Sequence, residues 1–193
     1  MNRHVNSIAG RLSLRPPQRR SLEILDRITE IAPPKKEMDV AAALEAIRSE
    51  YPSVTDFERE FPSLCFALAT GVGKTRLMGA FISYLHLAHG INNFFVLAPN
   101  LTIYNKLITD FTPNTPKYVF KGIAEFASER PVIITGDNYE QGGGIKRDVL
   151  PGFEPVVHVN IFNISKINGS SQSSSTRRCR LITGRRRRAM RSW

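Results

Sequence analysis

The chain has 193 residues, 41% of them hydrophobic and 23% charged, which is enough for one sizeable core. No apolar run is long enough to span a bilayer, the first twenty residues lack the apolar centre of a secretory signal, and two cysteines make neither a disulfide framework nor a metal-ligand spacing, so a reducing cytoplasm is the expected setting. The net charge of +10 sits mostly in residues 169–193, which hold eight arginines and no acid, while the other 168 residues carry 19 basic and 17 acidic side chains; the charge therefore does not argue for a basic cleft in the body of the protein.

Taken in chain order, residues 17–31 predict a helix. Pro17 suits its first turn, and Ile24, Ile28 and Ile31 fall on one face. Pro33 and Pro34 stop it. Residues 36–50 repeat the pattern, with Val40, Leu44 and Ile47 on one stripe and Pro52 beyond the end. The pattern then changes. Residues 63–69, SLCFALA, form a short continuous apolar run, as expected of a strand covered on both faces, with Cys65 as a small buried side chain. A loop follows, then a helix over 74–89. NFFVLAP predicts a second buried strand, and NLTIYNKLITDF a helix capped by Asn100. Two more strands are expected around KYVF and PVIIT. A Gly-rich turn, EQGGGIKRD, then leads to a strand in PVVHVNIFNI. Strands alternating with helices predict an α/β fold with a parallel sheet and crossover helices.

Residues 169–193 are Ser- and Arg-rich, low in complexity and expected to be disordered. A core-like strand runs into them without transition, so a frameshift or truncation near Asn168 is one expectation. A basic arm that binds nucleic acid by counterion release is the rival.

The most specific chemistry is LATGVGKTRL, residues 68–77. Gly71 and Gly73 leave out Cβ atoms, so backbone N–H groups at a helix N-terminus can curl around phosphates. Lys74 would reach the β- and γ-phosphates, and the Thr75 hydroxyl would ligate Mg²⁺. The candidate nucleotide-binding residues are Thr70, Gly71, Val72, Gly73, Lys74, Thr75 and Arg76. The general phosphate-loop pattern wants Gly where this chain has Leu68. Thr-Gly-x-Gly-Lys-Thr without that leading Gly resembles motif I of superfamily 2 helicases and translocases. Upstream, Arg15-Pro16-x-Gln18 at a helix entry is similar to the adenine-recognising segment of that superfamily. Its carboxamide could pair with adenine N6 and N7. FFVLAPNLTIYNKLITDF resembles motif Ia, which implies contact with a nucleic-acid backbone through Asn100 and Thr102.

With VNIFNISKIN added, the wording is similar to the ATPase subunit of type III restriction enzymes and its DEAD/DEAH-like relatives, over about residues 10–168. The resemblance implies a partial RecA-like domain over 61–168 behind a helical segment over 1–60. It further implies ATP and Mg²⁺ as cofactors, double-stranded DNA as substrate, and a methylase or specificity subunit as partner. The family's Asp-Glu pair, which serves Mg²⁺ and the attacking water, is missing after the loop. Its nearest imitation is Asp137 with Glu140, and Gly136-Asp137-Asn138 reads as turn chemistry. Nucleotide binding without hydrolysis is thus expected. A small kinase or GTPase, or a nucleic-acid-binding module using the Arg-rich tail, are the alternatives.

Overall fold

The computed structural model describes residues 2–35, 37–139 and 156–164. The Gly-rich turn, Glu140 and the tail expected beyond Asn168 lie outside the described residues. The elements in chain order are α1 (Arg3–Arg11), α2 (Pro16–Ile31), α3 (Val40–Glu50), α4 (Lys74–His89), β1 (Asn93–Ala98), α5 (Leu101–Phe111), α6 (Glu125–Ser128), β2 (Val132–Thr135) and β3 (His158–Asn163). The strands form a parallel sheet in the order β1-β3-β2. Asn93 pairs with His158 and Ala98 with Asn163 on one side of β3, and Val132 pairs with His158 on the other. The mixed helix and parallel-strand architecture is the α/β, RecA-like one expected.

Local chemistry explains most of the helix boundaries. Pro16 and Pro17 occupy the first turn of α2, where their missing N–H groups cost nothing. Asp39 caps α3 by accepting from Ala41 N at 3.0 Å and Ala42 N at 3.1 Å. Asn100 caps α5 by accepting from Ile103 N at 2.9 Å. Gly90 ends α4 in the left-handed conformation at φ 65°. α1 was not anticipated; Asn2 caps it, and Val5 and Ile8 bury one face.

The larger of two core clusters joins α1, α2, α4, α5 and the inward face of the sheet. Leu22 and Leu25 of α2, Leu77 and Ala80 of α4, Tyr104, Leu107 and Phe111 of α5, and Val96, Val159 and Ile161 of the strands all belong to it. The predicted stripe of α2 serves a second cluster. Ile28 packs there with Ala43 and Ile47 of α3 and with Phe57, flanked by Ile24 and Ile31. α2 is therefore apolar on two faces and sits between α3 and α4. On the other face of the sheet Phe95 and Leu97 are exposed, and Phe95 stacks on Phe162 at 5.2 Å.

Three expectations are corrected. Residues 63–69 are not a strand. No backbone hydrogen bond joins residues 64–69 to any described residue, and an extended segment without a paired neighbour is no part of a sheet. Its alternation confirms the exposure: Leu64, Phe66 and Leu68 lean on the clusters, Phe66 edge-to-face with Phe81 at 4.9 Å, while Ala67 and Ala69 face outward. Cys65 is exposed for the same reason, not buried. The KYVF segment is a series of turns. Val119 and Phe120 are buried there as plugs against α4 and α5 rather than as strand residues, and Val119 N donates to Asp110 O at 2.9 Å.

Gly79 shows how close that plug lies. A Cβ at Gly79 would meet Val119 Cβ and the Val119 carbonyl oxygen, both at 2.8 Å. Alanine gains up to about 1 kcal/mol of helix propensity, but forcing the plug away costs about 1–3 kcal/mol. Gly79→Ala is therefore expected to lower the urea midpoint. An unchanged or raised midpoint would mean that the turn segment yields freely.

Candidate nucleotide-binding site

The loop at residues 70–73 runs straight into α4. Gly71 has φ 79° and Gly73 has φ 92°, both in the left-handed region. A Cβ at Gly71 would meet nothing within 4 Å, so the first glycine is needed for conformation alone. A Cβ at Gly73 would lie 2.7 Å from Gln18 Nε2, so the second is needed for conformation and for room. Gly73 is the N-cap residue of α4 and has no capping side chain. The N–H groups of the first turn of α4 are thus left for a ligand, at the positive end of the helix dipole.

Lys74 is exposed and joins no ion pair among the described residues. Thr75 is half-buried, one position into α4, and its hydroxyl has no hydrogen-bond partner among the described residues. An exposed ammonium, an uncommitted hydroxyl and a capless helix start fit a phosphate with Mg²⁺. Thr70 is exposed and Val72 half-buried within the loop. Arg76 turns the other way: its guanidinium donates to Leu12 O at 3.4 Å and ties α4 to the end of α1.

Gln18 is 2% exposed and lies against the loop. Its Nε2 donates to Gly73 O at 2.8 Å, and its Oε1 accepts from Arg15 N at 2.8 Å. The same side chain therefore caps α2 and anchors the loop. Arg15 adds a contact from its guanidinium to Gly71 O at 3.4 Å. The helix start that carries Arg15 and Gln18 is brought beside the loop across more than fifty residues of sequence. The carboxamide faces the loop backbone, and one N–H and one lone pair remain for any further partner.

Asn100 and Thr102 are both exposed at the start of α5, beyond the end of β1. The Asn100 oxygen is used as the cap, which leaves its NH₂ group outward. Asp137 lies in the turn expected there, where Asn138 Oδ1 accepts from Thr135 N at 2.6 Å and Asn138 Nδ2 donates to Ile133 O at 3.0 Å. Among the described residues no group of three His, Cys, Asp or Glu side chains could hold a metal by itself. No helix among them is long and apolar enough to cross a membrane.

A polar cluster that the sequence did not announce lies between α2 and α4. The Tyr84 hydroxyl donates to Asp26 Oδ1 at 2.8 Å, lies 2.9 Å from Thr29 Oγ1, and lies 3.2 Å from His89 Nε2. Burial pushes the Tyr84 phenol up to about 12, lowered by the Thr29 bond and raised further by Asp26. Burial pushes His89 below its usual value, against the pull of Asp26. Both groups are thus held neutral around pH 7. Residues 58 apart carry this contact, and no spacing rule connects them.

No curated protein and no solved structure matches the chain. One family model does, and it matches residues 11–182, through the helix start at Arg15, the loop, the sheet and on past Asn168. That model is the type III restriction enzyme, res subunit, and because it takes in most of the chain, the protein belongs to that family and carries its helicase-like nucleotide-binding domain.

Proposed function

We propose that the chain binds ATP–Mg²⁺ through residues 70–75, with Gln18 positioned at the loop, as the nucleotide-binding part of a translocase acting on double-stranded DNA. The observation that carries this reading is the pair of left-handed glycines opening α4 beside Lys74 and the Thr75 hydroxyl, neither of which has a partner among the described residues. Backbone donors, a point charge and a metal-ligating oxygen converge there, and a polyphosphate needs all three. Asn100 and Thr102, at the exposed start of α5, are the proposed contacts to the DNA backbone. A methylase or specificity subunit is the proposed partner, by family membership.

Hydrolysis by this chain alone is proposed to be negligible. No adjacent Asp-Glu pair follows the loop in this sequence, so the motif that in the family partners Mg²⁺ and orients the attacking water has no counterpart here. The test combines binding and turnover. Isothermal titration with ATP should show a complex that requires Mg²⁺ and is lost with EDTA. Phosphate release should stay at background with or without duplex DNA. Absence of any ATP binding would sink the binding reading, and DNA-stimulated turnover would sink the hydrolysis statement. Phosphate transfer to a small acceptor would favour a kinase instead.

A further inference from the structure

Helices α2 and α4 lie side by side with their N-termini at the same end, and polar contacts at two levels fasten them. The first is Gln18 Nε2 to Gly73 O at the loop. The second is the Tyr84 hydroxyl to Asp26 Oδ1, deep between the helices. Tyr84 is 1% exposed and Asp26 6%. We propose that Asp26 and Tyr84 are a positioning pair, whose hydrogen bond sets the axial register of α2 against α4 and so keeps Gln18 seated on the nucleotide loop. The proposal rests on the nucleotide-binding reading above.

The two contacts are separated by about 12 Å along α2 and about 16 Å along α4, at 1.5 Å of rise per residue. Over that span a packed helix moves as a rod, so a slide at Asp26 reaches Gln18 undiminished. Between the contacts, Leu22 and Leu25 of α2 and Leu77 and Ala80 of α4 belong to the same core cluster. Apolar packing of that kind is non-directional and tolerates a small slide. A buried hydrogen bond does not, because a shift strands its donor and its acceptor away from water.

The bond is also specified in direction. A carboxylate can only accept, so the hydroxyl of Tyr84 donates to Asp26 Oδ1, while Thr29 Oγ1 at 2.9 Å and His89 Nε2 at 3.2 Å flank the same phenol oxygen. At the other end, tolerance is small. The Gln18 amide nitrogen occupies the space that a Cβ of Gly73 would take, and its bond to Gly73 O is 2.8 Å long. A slide of about 1 Å would break it by ordinary hydrogen-bond geometry.

The experiment is a double-mutant cycle on the full chain. Tyr84→Phe keeps the ring and removes the hydroxyl. It is expected to weaken Mg²⁺–ATP binding about fivefold, close to the loss from Gln18→Ala, and the double variant is expected to be no weaker than Gln18→Ala alone. Asp26→Asn keeps an oxygen acceptor for Tyr84 and should bind close to wild type. Losses that add in the double variant would overturn the proposal, since a stability role alone predicts independence. A second readout needs no nucleotide: the Gln18 side-chain amide resonance should shift, and its protons exchange faster, in Tyr84→Phe. If that resonance is unmoved, the proposal fails whether or not ATP binds; if it moves while wild type binds no ATP, only the nucleotide reading fails. Should Tyr84→Phe not fold, Asp26→Ala is read in the same two ways.

Discussion

Replacing Lys74 with alanine is expected to raise the Kd for ATP–Mg²⁺ by about 10- to 150-fold and to leave the unfolding midpoint where it is. The size follows from one charge-assisted hydrogen bond to phosphate, about 1.5–3 kcal/mol, at 1.4 kcal/mol per tenfold. The unchanged midpoint follows from exposure: Lys74 packs on nothing in either core cluster and holds no ion pair among the described residues. The two measurements belong together. A lower midpoint with unchanged affinity would make Lys74 a structural residue, and the loop an ordinary helix start. The effect should also shrink with added salt, because the ammonium is solvent-facing and its field is screened within about 8–10 Å at physiological ionic strength. Arginine in its place would not restore the wild-type affinity, since a planar fork does not replace a compact point charge in a narrow loop.

The largest loss of stability is expected from Phe111→Ala, about 3–5 kcal/mol by urea unfolding. Phe111 is 0% exposed at the end of α5. Its ring meets Phe120 edge-on at 5.5 Å, Phe120 meets Phe126 at 4.7 Å, and Phe126 stacks on His86 of α4 at 5.5 Å. This aromatic chain connects α5 to α4 through the turn segment that replaces the expected KYVF strand. Removing the first ring leaves a cavity lined by residues that other elements also need, so collapse around it is limited. Phe111→Leu should lose less, because it refills part of that volume. A loss below about 1 kcal/mol for alanine would mean that the turn segment, and not the ring, carries the joint. With a total stability of about 5–15 kcal/mol usual for a domain, the predicted loss is a large share of what holds the fold.

What could be read from the sequence was local. α2, α3, α4 and α5 announce themselves through prolines, apolar spacing, a glycine loop and an Asn cap, all within a few residues of the boundary they set. The loop's chemistry was legible for the same reason, since Gly71, Gly73, Lys74 and Thr75 are adjacent. That residues 63–69 form no strand was not legible, because an apolar run describes a side-chain environment while strand character depends on a neighbour elsewhere in the chain. KYVF failed likewise: Val119 and Phe120 are buried, but against Gly79 and Phe111 and not in a ladder. α1 has only Val5, Ile8 and Ala9 as buried residues, in a sequence that is polar on average and contains Gly10, so propensity gave it little weight. The seat of Gln18 on Gly73 and the Asp26–Tyr84 bond arise from the side-by-side packing of two helices, a relation that no window of sequence contains.

The six peptide groups of residues 64–69 lead directly into the nucleotide loop, and their lack of backbone partners among the described residues has a thermodynamic consequence. Their amide protons should exchange with solvent at nearly open-chain rates, while those in the middle of α4 exchange only on global unfolding. Where a polyphosphate that orders the loop also stills this tether, each residue newly fixed costs roughly 1–2 kcal/mol. The packing of Leu64, Phe66 and Leu68 on the core clusters reduces that cost in advance. Whatever lies alongside this tether and rigidifies it would raise nucleotide affinity without touching nucleotide, and by reciprocity bound nucleotide would tighten that association by the same factor.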